Sequence, residues 1–205
     1  MLDSSNLRDE LSSVIKAIHA RGWASGTGGN FSAVLQQHPL KLLMAPSGVD
    51  KGLVQPQDLI EVNAQGEVLT SYGCASAETP IHLAIATHAQ AGAILHTHSV
   101  FSTLISAHLY PRDRVTFTGY EMLKGLAGIT THEAIATIPI LANSQDMVEL
   151  AYNLTPLLPQ ASHGILLAGH GLYAWGDTLF AAKRHLEILE FLLELNYRQL
   201  VLTPH

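Results

Sequence analysis

The order of strand and helix patterns is the feature of this sequence that most constrains its fold. After a first predicted helix at 4–20, three short strand patterns at 31–36, 41–45 and 59–63 are joined by turns. Strands joined in this way pair antiparallel, since a parallel pair needs a crossover of roughly a dozen residues or more. The order therefore predicts an antiparallel sheet covered by helices on both faces, and not a strict βαβ alternation.

The rest of the chain alternates between the two patterns. Strands are predicted at 91–98, 136–141, 164–168 and 172–175, and helices at 81–90, 99–108, 121–127, about 147–154 and 177–202. The helix near 147 is expected to be capped by the polar run that precedes it, and Gly22 is expected to end the first helix.

Composition bounds the size and surroundings of the protein. Its 205 residues, 47% of them hydrophobic, suffice for one substantial core, so we expect a single domain over 1–205. Lysine and arginine total 11 against 17 aspartate and glutamate, and the net charge of -6 gives no general attraction to nucleic acid or anionic lipid. The single Cys74 and the lack of a secretory or membrane-spanning pattern favour the cytoplasm.

Two histidines stand two positions apart at the end of a predicted buried strand. Alternate side chains of a strand point to the same side, so His96 and His98 can share one cation. His170 stands between two glycines at a predicted strand turn, and only tertiary folding can bring it to the pair. Three imidazoles and one vacant position suit a catalytic zinc ion. The alternative is a pair of strand-end histidines satisfied by backbone groups.

Five short motifs follow one another along the chain. They are GTGGNFS at 26–32, APSGV at 45–49, SAETPIH at 76–82, HTH at 96–98 and GHG at 169–171. In this order they resemble the class II aldolase and adducin family over about residues 7–200. The resemblance implies an α/β fold of three α/β/α layers with a central, mainly antiparallel sheet. It also implies one Zn²⁺ per subunit on His96, His98 and His170, and a homotetramer with active sites at subunit interfaces.

Two further motifs are most similar to the dehydratases of that family. These are YEMLKG at 120–125 and HGLYAWG at 170–176, and they imply loss of water from a small phosphorylated ketose. Glu121 is then the group that accepts and returns protons. Glu78 keeps a sugar-phosphate aldolase or epimerase open, because aldolases of the family use a glutamate there near the metal. Without the resemblance, both are first-turn helix carboxylates favoured by the helix dipole.

A noncatalytic, adducin-like interaction module is the third hypothesis for the function. The three histidines argue against it, because such a module has no need to retain a metal site. Zinc content and turnover distinguish it from the two enzymes.

Small residues in the first half of the chain are the candidates for holding the phosphate. Glycines permit close approach of backbone N–H groups, and the acidic chain offers no general basic patch. The turn at 26–29 lacks the Gly-Lys-Ser/Thr ending of a nucleotide-binding loop. Lys124, three residues after Glu121, is expected to add positive charge within its own or a neighbouring subunit. The phosphate candidates are Gly28, Gly29, Asn30, Ser47, Gly48, Ser76 and Lys124.

The remaining histidines and large aromatic residues carry no spacing that demands a ligand. We expect His82, His88, His132, His163 and His185 to be structural or solvated. Trp23, Tyr173 and Trp175 are expected in the core.

Overall fold

One eight-stranded sheet organises the computed structural model, which describes residues 4–202. The strands are β1 Asn30–Gln37, β2 Leu40–Met44, β3 Ile60–Asn63, β4 Ala93–Thr97, β5 Arg114–Phe117, β6 Ala136–Leu141, β7 Gly164–Leu167 and β8 Gly171–Gly176. The helices are α1 Ser4–Ala20, α2 Thr79–His88, α3 Val100–Leu109, α4 Met147–Leu154 and α5 Leu179–Leu202. Short 3-10 helices cover Pro56–Asp58, Tyr110–Arg112, Glu121–Gly125 and Thr155–Gln160.

The sheet is mainly antiparallel, as the sequence predicts. Its strand order is β3-β2-β1-β4-β8-β7-β6-β5. Among the described strands only β6 and β7 pair in parallel, and α4 lies in the connection between them. The chain crosses from β1 to β4 and from β4 to β8, so the middle of the sheet joins segments that are far apart in sequence.

Helices cover both faces of this sheet, which gives the α/β/α layers. Along β4, Ala93 and Leu95 belong to the apolar cluster shared with α1, α3 and α5. Ile94, between them, belongs to the second cluster, which includes residues of α2 and α4. This alternation places three helices on one face and two on the other.

Two predictions of local structure need correction. The four-residue edge strand β5 was not predicted, because Val115 and Phe117 are its only buried side chains and too few to mark a pattern. The helix predicted at 121–127 is a 3-10 helix, Glu121–Gly125. The predicted single domain includes residues 1–3 and 203–205, which lie outside the described residues. Within 4–202, every helix is too short or too polar to cross a bilayer.

Candidate metal centre

Four side chains from three parts of the chain meet at one end of the sheet. His96 lies in β4 and His98 follows that strand, so their rings point to the same side, as predicted. His170 comes from the turn between β7 and β8, and Glu78 precedes the first residue of α2. One potential ligand atom from each of the four lies within 4.8 Å of all the others. The structure therefore brings together the three predicted ligands and adds Glu78.

The three imidazoles present the same nitrogen to a common point. The Nε2 atoms of His96 and His98 are 2.7 Å apart, and that of His170 lies 3.3 Å from His96 and 3.0 Å from His98. The Glu78 carboxylate approaches the same point, with one oxygen 3.2 Å from Nε2 of His96 and the other 3.6 Å from that of His170. The nitrogens thus surround one small volume that the carboxylate borders.

Hydrogen bonds at the opposite ring nitrogens fix two of these rings. The Nδ1 atom of His96 donates to the Leu172 carbonyl oxygen at 3.0 Å, which leaves its Nε2 as a lone-pair donor. The Nδ1 atom of His170 lies 3.2 Å from the amide oxygen of Asn143, a contact that has the same effect. Such outer contacts set the tautomer and orientation of metal-binding histidines.

Two glycines make room for the centre. At Gly171, an added Cβ would overlap the Thr97 carbonyl oxygen, so only glycine lets β8 approach β4 this closely. At Gly28, an added Cβ would lie 3.0 Å from Nδ1 of His98. The glycine-rich turn is therefore directly beside a predicted ligand.

Burial keeps the His96 and His98 imidazoles neutral, which is the form that binds metal. Burial, reinforced by His98 and His170, holds the pKa of His96 well below its usual range. Burial, followed by the effects of His170 and Lys51, lowers the pKa of His98 to about 4. Both rings therefore offer lone pairs at neutral pH.

The donor set and spacing fit a divalent metal ion. Ligands 2.0 to 2.1 Å from a tetrahedral zinc lie roughly 3.3 Å apart, and these Nε2 atoms are separated by 2.7 to 3.3 Å. Three imidazole nitrogens with a carboxylate alongside suit zinc better than calcium or magnesium, which prefer oxygen ligands. An open cavity of about 540 Å³ adjoins the cluster, lined in part by Glu78, His98 and His170, and gives access to it.

Tyr173 extends the centre into the core. Its ring stacks on His96 with centroids 3.9 Å apart, and its hydroxyl donates to a Glu78 oxygen. Burial, followed by the Glu78 charge and hydrogen bond, raises the pKa of Tyr173 well above its usual value, so the hydroxyl stays protonated. Tyr173 is buried as predicted, but it also holds Glu78, which the sequence pattern did not reveal.

The phosphate candidates of the first half of the chain lie around the same end of the sheet. Asn30 pairs with His96 across β1 and β4, while Ser47 donates through its backbone N–H to the Cys74 carbonyl. The backbone N–H of Gly28 donates to Ser25. No described residue accepts from the backbone N–H groups of Gly29, which is buried, or of Gly48, which is exposed.

Glu121 and Lys124 lie apart from this cluster. Their 3-10 helix packs on α5 through Leu123, on the sheet face opposite to α2. Glu121 is exposed, and its carboxylate accepts a 2.6 Å hydrogen bond from Lys124. That bond and the Lys124 charge hold the pKa of Glu121 below its usual value. Neither residue lines the cavity beside His170.

Sequence reasoning missed three further residues around the site. Asn143 carries only a capping signal in the sequence, yet it contacts His170. Lys51 is buried near the glycine-rich turn. Glu190 of α5 accepts hydrogen bonds from Thr97 and Ser99, on either side of His98. For Lys51, its position close after the APSGV motif was the one available signal. For Glu190, an acidic residue inside an apolar helix, the sequence does not indicate which residues it contacts.

Comparison with known proteins places the chain in a family. The model of the class II aldolase and adducin N-terminal domain matches residues 9–197. The chain belongs to this family. It is 41% identical to a methylthioribulose-1-phosphate dehydratase from a Picosynechococcus species, covering 99% of this chain and 97% of that protein. It is 38% identical to a dehydratase of the same name from Sorangium cellulosum, with 93% and 91% covered.

Solved structures confirm the fold. A putative aldolase/epimerase/decarboxylase from Escherichia coli aligns with a TM-score of 0.80 and 26% identity, covering 98% of this chain and 92% of that one. An L-fuculose-1-phosphate aldolase from Thermus thermophilus aligns with a TM-score of 0.77 and 26% identity, covering 97% of each chain. The α/β fold with a mainly antiparallel central sheet is therefore that of the class II aldolases.

Proposed function

We propose that the protein dehydrates 5-methylthioribulose 1-phosphate to 2,3-diketo-5-methylthiopentyl 1-phosphate, a zinc-dependent hydro-lyase step of methionine salvage. The observation that carries the proposal is the convergence of three histidine Nε2 atoms beside an open cavity. The relatives named as dehydratases, 38–41% identical over nearly the whole chain, supply the particular substrate.

His96, His98 and His170 would hold one Zn²⁺ per subunit. When bound, the ion would supply a Lewis acid that makes the C3 hydrogen of the ketose more acidic. Burial keeps the His96 and His98 rings neutral, and Nδ1 contacts orient the His96 and His170 rings. Preformed ligands of this kind lower the cost of assembling the site.

The reaction also needs a group that takes the C3 proton and a route for the C4 hydroxyl to leave as water. We assign the proton transfer to Glu121, whose carboxylate Lys124 holds in the ionised form that can accept a proton. Loss of the C3 hydrogen and the C4 hydroxyl gives an enol, and its tautomerisation gives the 2,3-diketone. One molecule of substrate thus gives one molecule of diketone and one of water.

Glu121 can serve a centre from which it is separated within one chain only if another subunit brings it there. We therefore propose a homotetramer in which the Glu121–Lys124 pair of one subunit completes the metal centre of its neighbour. Lys124 would then stand close to the phosphate of the bound ketose. The cytoplasm is the compartment we propose for this small-molecule step.

The phosphate is proposed to bind among Gly28, Gly29, Asn30, Ser47, Gly48 and Ser76. The Gly29 and Gly48 N–H groups and the Ser47 hydroxyl have no acceptor among the described residues. Gly28 contributes through its small size beside His98. The candidate region and the metal centre are thus neighbours, as a 1-phosphate next to a C2 carbonyl requires.

An aldolase or epimerase for another sugar phosphate is the second candidate. Glu78 favours it, because its carboxylate lies within 3.2 Å of a ligand nitrogen and can act as an acid or base there. The similarity to an L-fuculose-1-phosphate aldolase points the same way. In the dehydratase, Glu78 would instead border the metal.

Product identity separates these candidates. Zinc-loaded protein is incubated with 5-methylthioribulose 1-phosphate, and the products are identified by mass spectrometry and NMR. We expect a diketone 18 Da lighter than the substrate, the mass of one water, with no fragments. Dihydroxyacetone phosphate would overturn the dehydratase proposal in favour of carbon-carbon cleavage. Chelation should abolish turnover, and added zinc should restore it.

A further inference from the structure

Lys51 is a buried lysine that neither the metal ligands nor the proposed acid-base group accounts for. It is 1% exposed and ranks among the largest fully buried side chains. Its Nζ donates to the carbonyl oxygens of Thr27 at 3.0 Å and of Val49 at 3.1 Å. One side chain thus joins two turns that are about twenty residues apart in sequence.

Both turns belong to the region proposed to hold the phosphate. Thr27 stands between Gly26 and Gly28, and Val49 follows Ser47 and Gly48. Thr27, Ser47 and Gly48 are exposed, whereas the ammonium lies buried beneath them. The surface above Lys51 is therefore open to a ligand.

The two turns that Lys51 joins each lead to the metal centre. On one side, Gly28 borders the His98 ring. On the other, the Ser47 N–H bonds to the Cys74 carbonyl, and the Ser76 hydroxyl oxygen accepts from the backbone N–H of Glu78. Lys51 sits in the middle of this chain of contacts.

The charge of Lys51 has no full counter-ion among residues 4–202. The acidic residue next to it, Asp50, directs its carboxylate to the Gly52 N–H and to His19. Burying a cation without an ionic partner is costly, and an apolar side chain of similar length would fill the same space without that cost. An ammonium with two of its three N–H groups used retains one for an anion.

We propose that Lys51 is a positioning residue that joins the turns at 26–29 and 47–49 into one anion-binding cradle beside His98. The ammonium fixes the spacing of the Gly29 and Gly48 N–H groups and supplies the positive charge that the acidic chain otherwise lacks there. The inference rests on the proposed function in taking the phosphate of the substrate as the anion.

The test measures binding of inorganic phosphate to the zinc-loaded full chain by titration calorimetry. Lys51→Met removes the charge and the donors, and Lys51→Gln keeps N–H donors without the charge. We expect each to weaken phosphate binding at least about tenfold, the scale of a lost charge-assisted hydrogen bond. Zinc content should stay at the wild-type level. Lys16→Met is the matched control, since the Lys16 ammonium also donates to an oxygen, that of the Gln55 side chain, but Lys16 is only partly buried.

Phosphate affinity within about twofold of wild type in either folded variant would overturn the proposal. Loss of phosphate binding only together with loss of zinc would also overturn it. If neither variant folds, the wild-type protein labelled with ¹⁵N-lysine decides the matter. Phosphate should shift the slowly exchanging Nζ resonance of the buried lysine, and no shift would contradict the proposal.

A kinetic measurement separates this inference from the proposed function. With 5-methylthioribulose 1-phosphate, Lys51→Gln should raise KM at least about tenfold while kcat changes by much less. A wild-type protein that binds phosphate through Lys51 but yields no diketone would refute the dehydratase and leave the cradle standing. The reverse result, a dehydratase whose KM does not depend on Lys51, would refute the cradle alone.

Discussion

The metal centre and the Glu121–Lys124 segment differ in how far one chain completes them. At the metal centre, His96 is fully buried and its ring is held by Leu172 and Tyr173. Glu121, by contrast, is exposed and bonds to Lys124 three residues away. The contrast indicates that a single chain can build the metal site, whereas the proposed acid-base group depends on a surface contact.

Helix α5 links these two regions. Its Glu190 accepts hydrogen bonds from Thr97, the last residue of β4, and from Ser99, which precedes α3. Two residues earlier, Ile188 packs so closely against Gly125 that an added Cβ there would overlap it. Helix α5 therefore contacts both the end of β4 that carries His96 and the segment that carries Glu121.

The largest expected effect is at the metal centre itself. His96→Ala removes a fully buried imidazole from the cluster, and solvent cannot take its place there. We therefore predict loss of zinc and of all measurable turnover. Metal analysis and the dehydration assay check this. His88→Ala, at the exposed end of α2, is the control and should retain both. Full zinc content in His96→Ala would break the assignment of this cluster as the metal site.

The next effect concerns Glu121. Glu121→Gln should reduce kcat at least about a hundredfold, the scale of general acid-base catalysis, with zinc content unchanged. Glu149→Gln, another exposed first-turn glutamate, should leave kcat near wild type. Near-normal turnover in Glu121→Gln would remove this residue from catalysis and leave Glu78 as the candidate.

Mixing the two inactive variants sharpens the comparison further. If Glu121 serves a neighbouring metal centre, hybrid tetramers of His96→Ala and Glu121→Gln subunits contain some sites with both native residues. Random mixing should restore roughly a quarter of wild-type activity. No recovery after dissociation and reassembly would show that the two regions do not cooperate between subunits.

A smaller effect is expected from Tyr173→Phe. This change keeps the ring stacked on His96 but removes the hydroxyl that donates to Glu78. We predict about a tenfold loss of activity with zinc retained, since outer contacts of a metal site have effects of about this size. Tyr152→Phe, at an exposed site in α4, serves as the control. Unchanged kinetics would mean that the position of Glu78 is fixed without Tyr173.

The smallest effect on turnover, but a clear one on stability, is expected from Glu190→Gln. Burial raises the pKa of Glu190 from 4.5 to about 7, against the opposing hydrogen bonds from Ser99 and Thr97. The folded protein therefore binds a proton here that the unfolded chain releases. The contribution is fully present below about pH 4.5 and is lost as the pH rises through about 7.

Glu190→Gln should remove this pH dependence. Between pH 5 and 8, the free energy of unfolding of the wild type should fall relative to the variant by roughly 2 kcal/mol. Denaturant unfolding across that range at fixed zinc measures the difference. Glu187→Gln, a partly exposed residue of the same helix, should track the wild type. Parallel pH profiles for wild type and Glu190→Gln would contradict the assignment.

Several elements of the fold and site were predictable because their causes are local. The period-2 pattern ending at His96 and His98 placed both rings on one side of a strand, and the polar run before Met147 marked the start of α4. The edge strand β5 was missed because its two inward side chains give too little pattern. Asn143 and Tyr173 were missed as site residues because their partners lie far away in sequence.

The sequence by itself determined the order of most helices and strands, the paired histidines and, through its motifs, the family. Only the tertiary structure decided that His170 and Glu78 join that pair, that Lys51 bridges two glycine-rich turns, and that Glu121 stands apart within one chain. Local patterns depend on backbone periodicity, which a short stretch of residues expresses fully. The meeting of the site side chains depends on how β4, β8 and α2 pack together. That packing is set by the burial of apolar side chains from all parts of the chain.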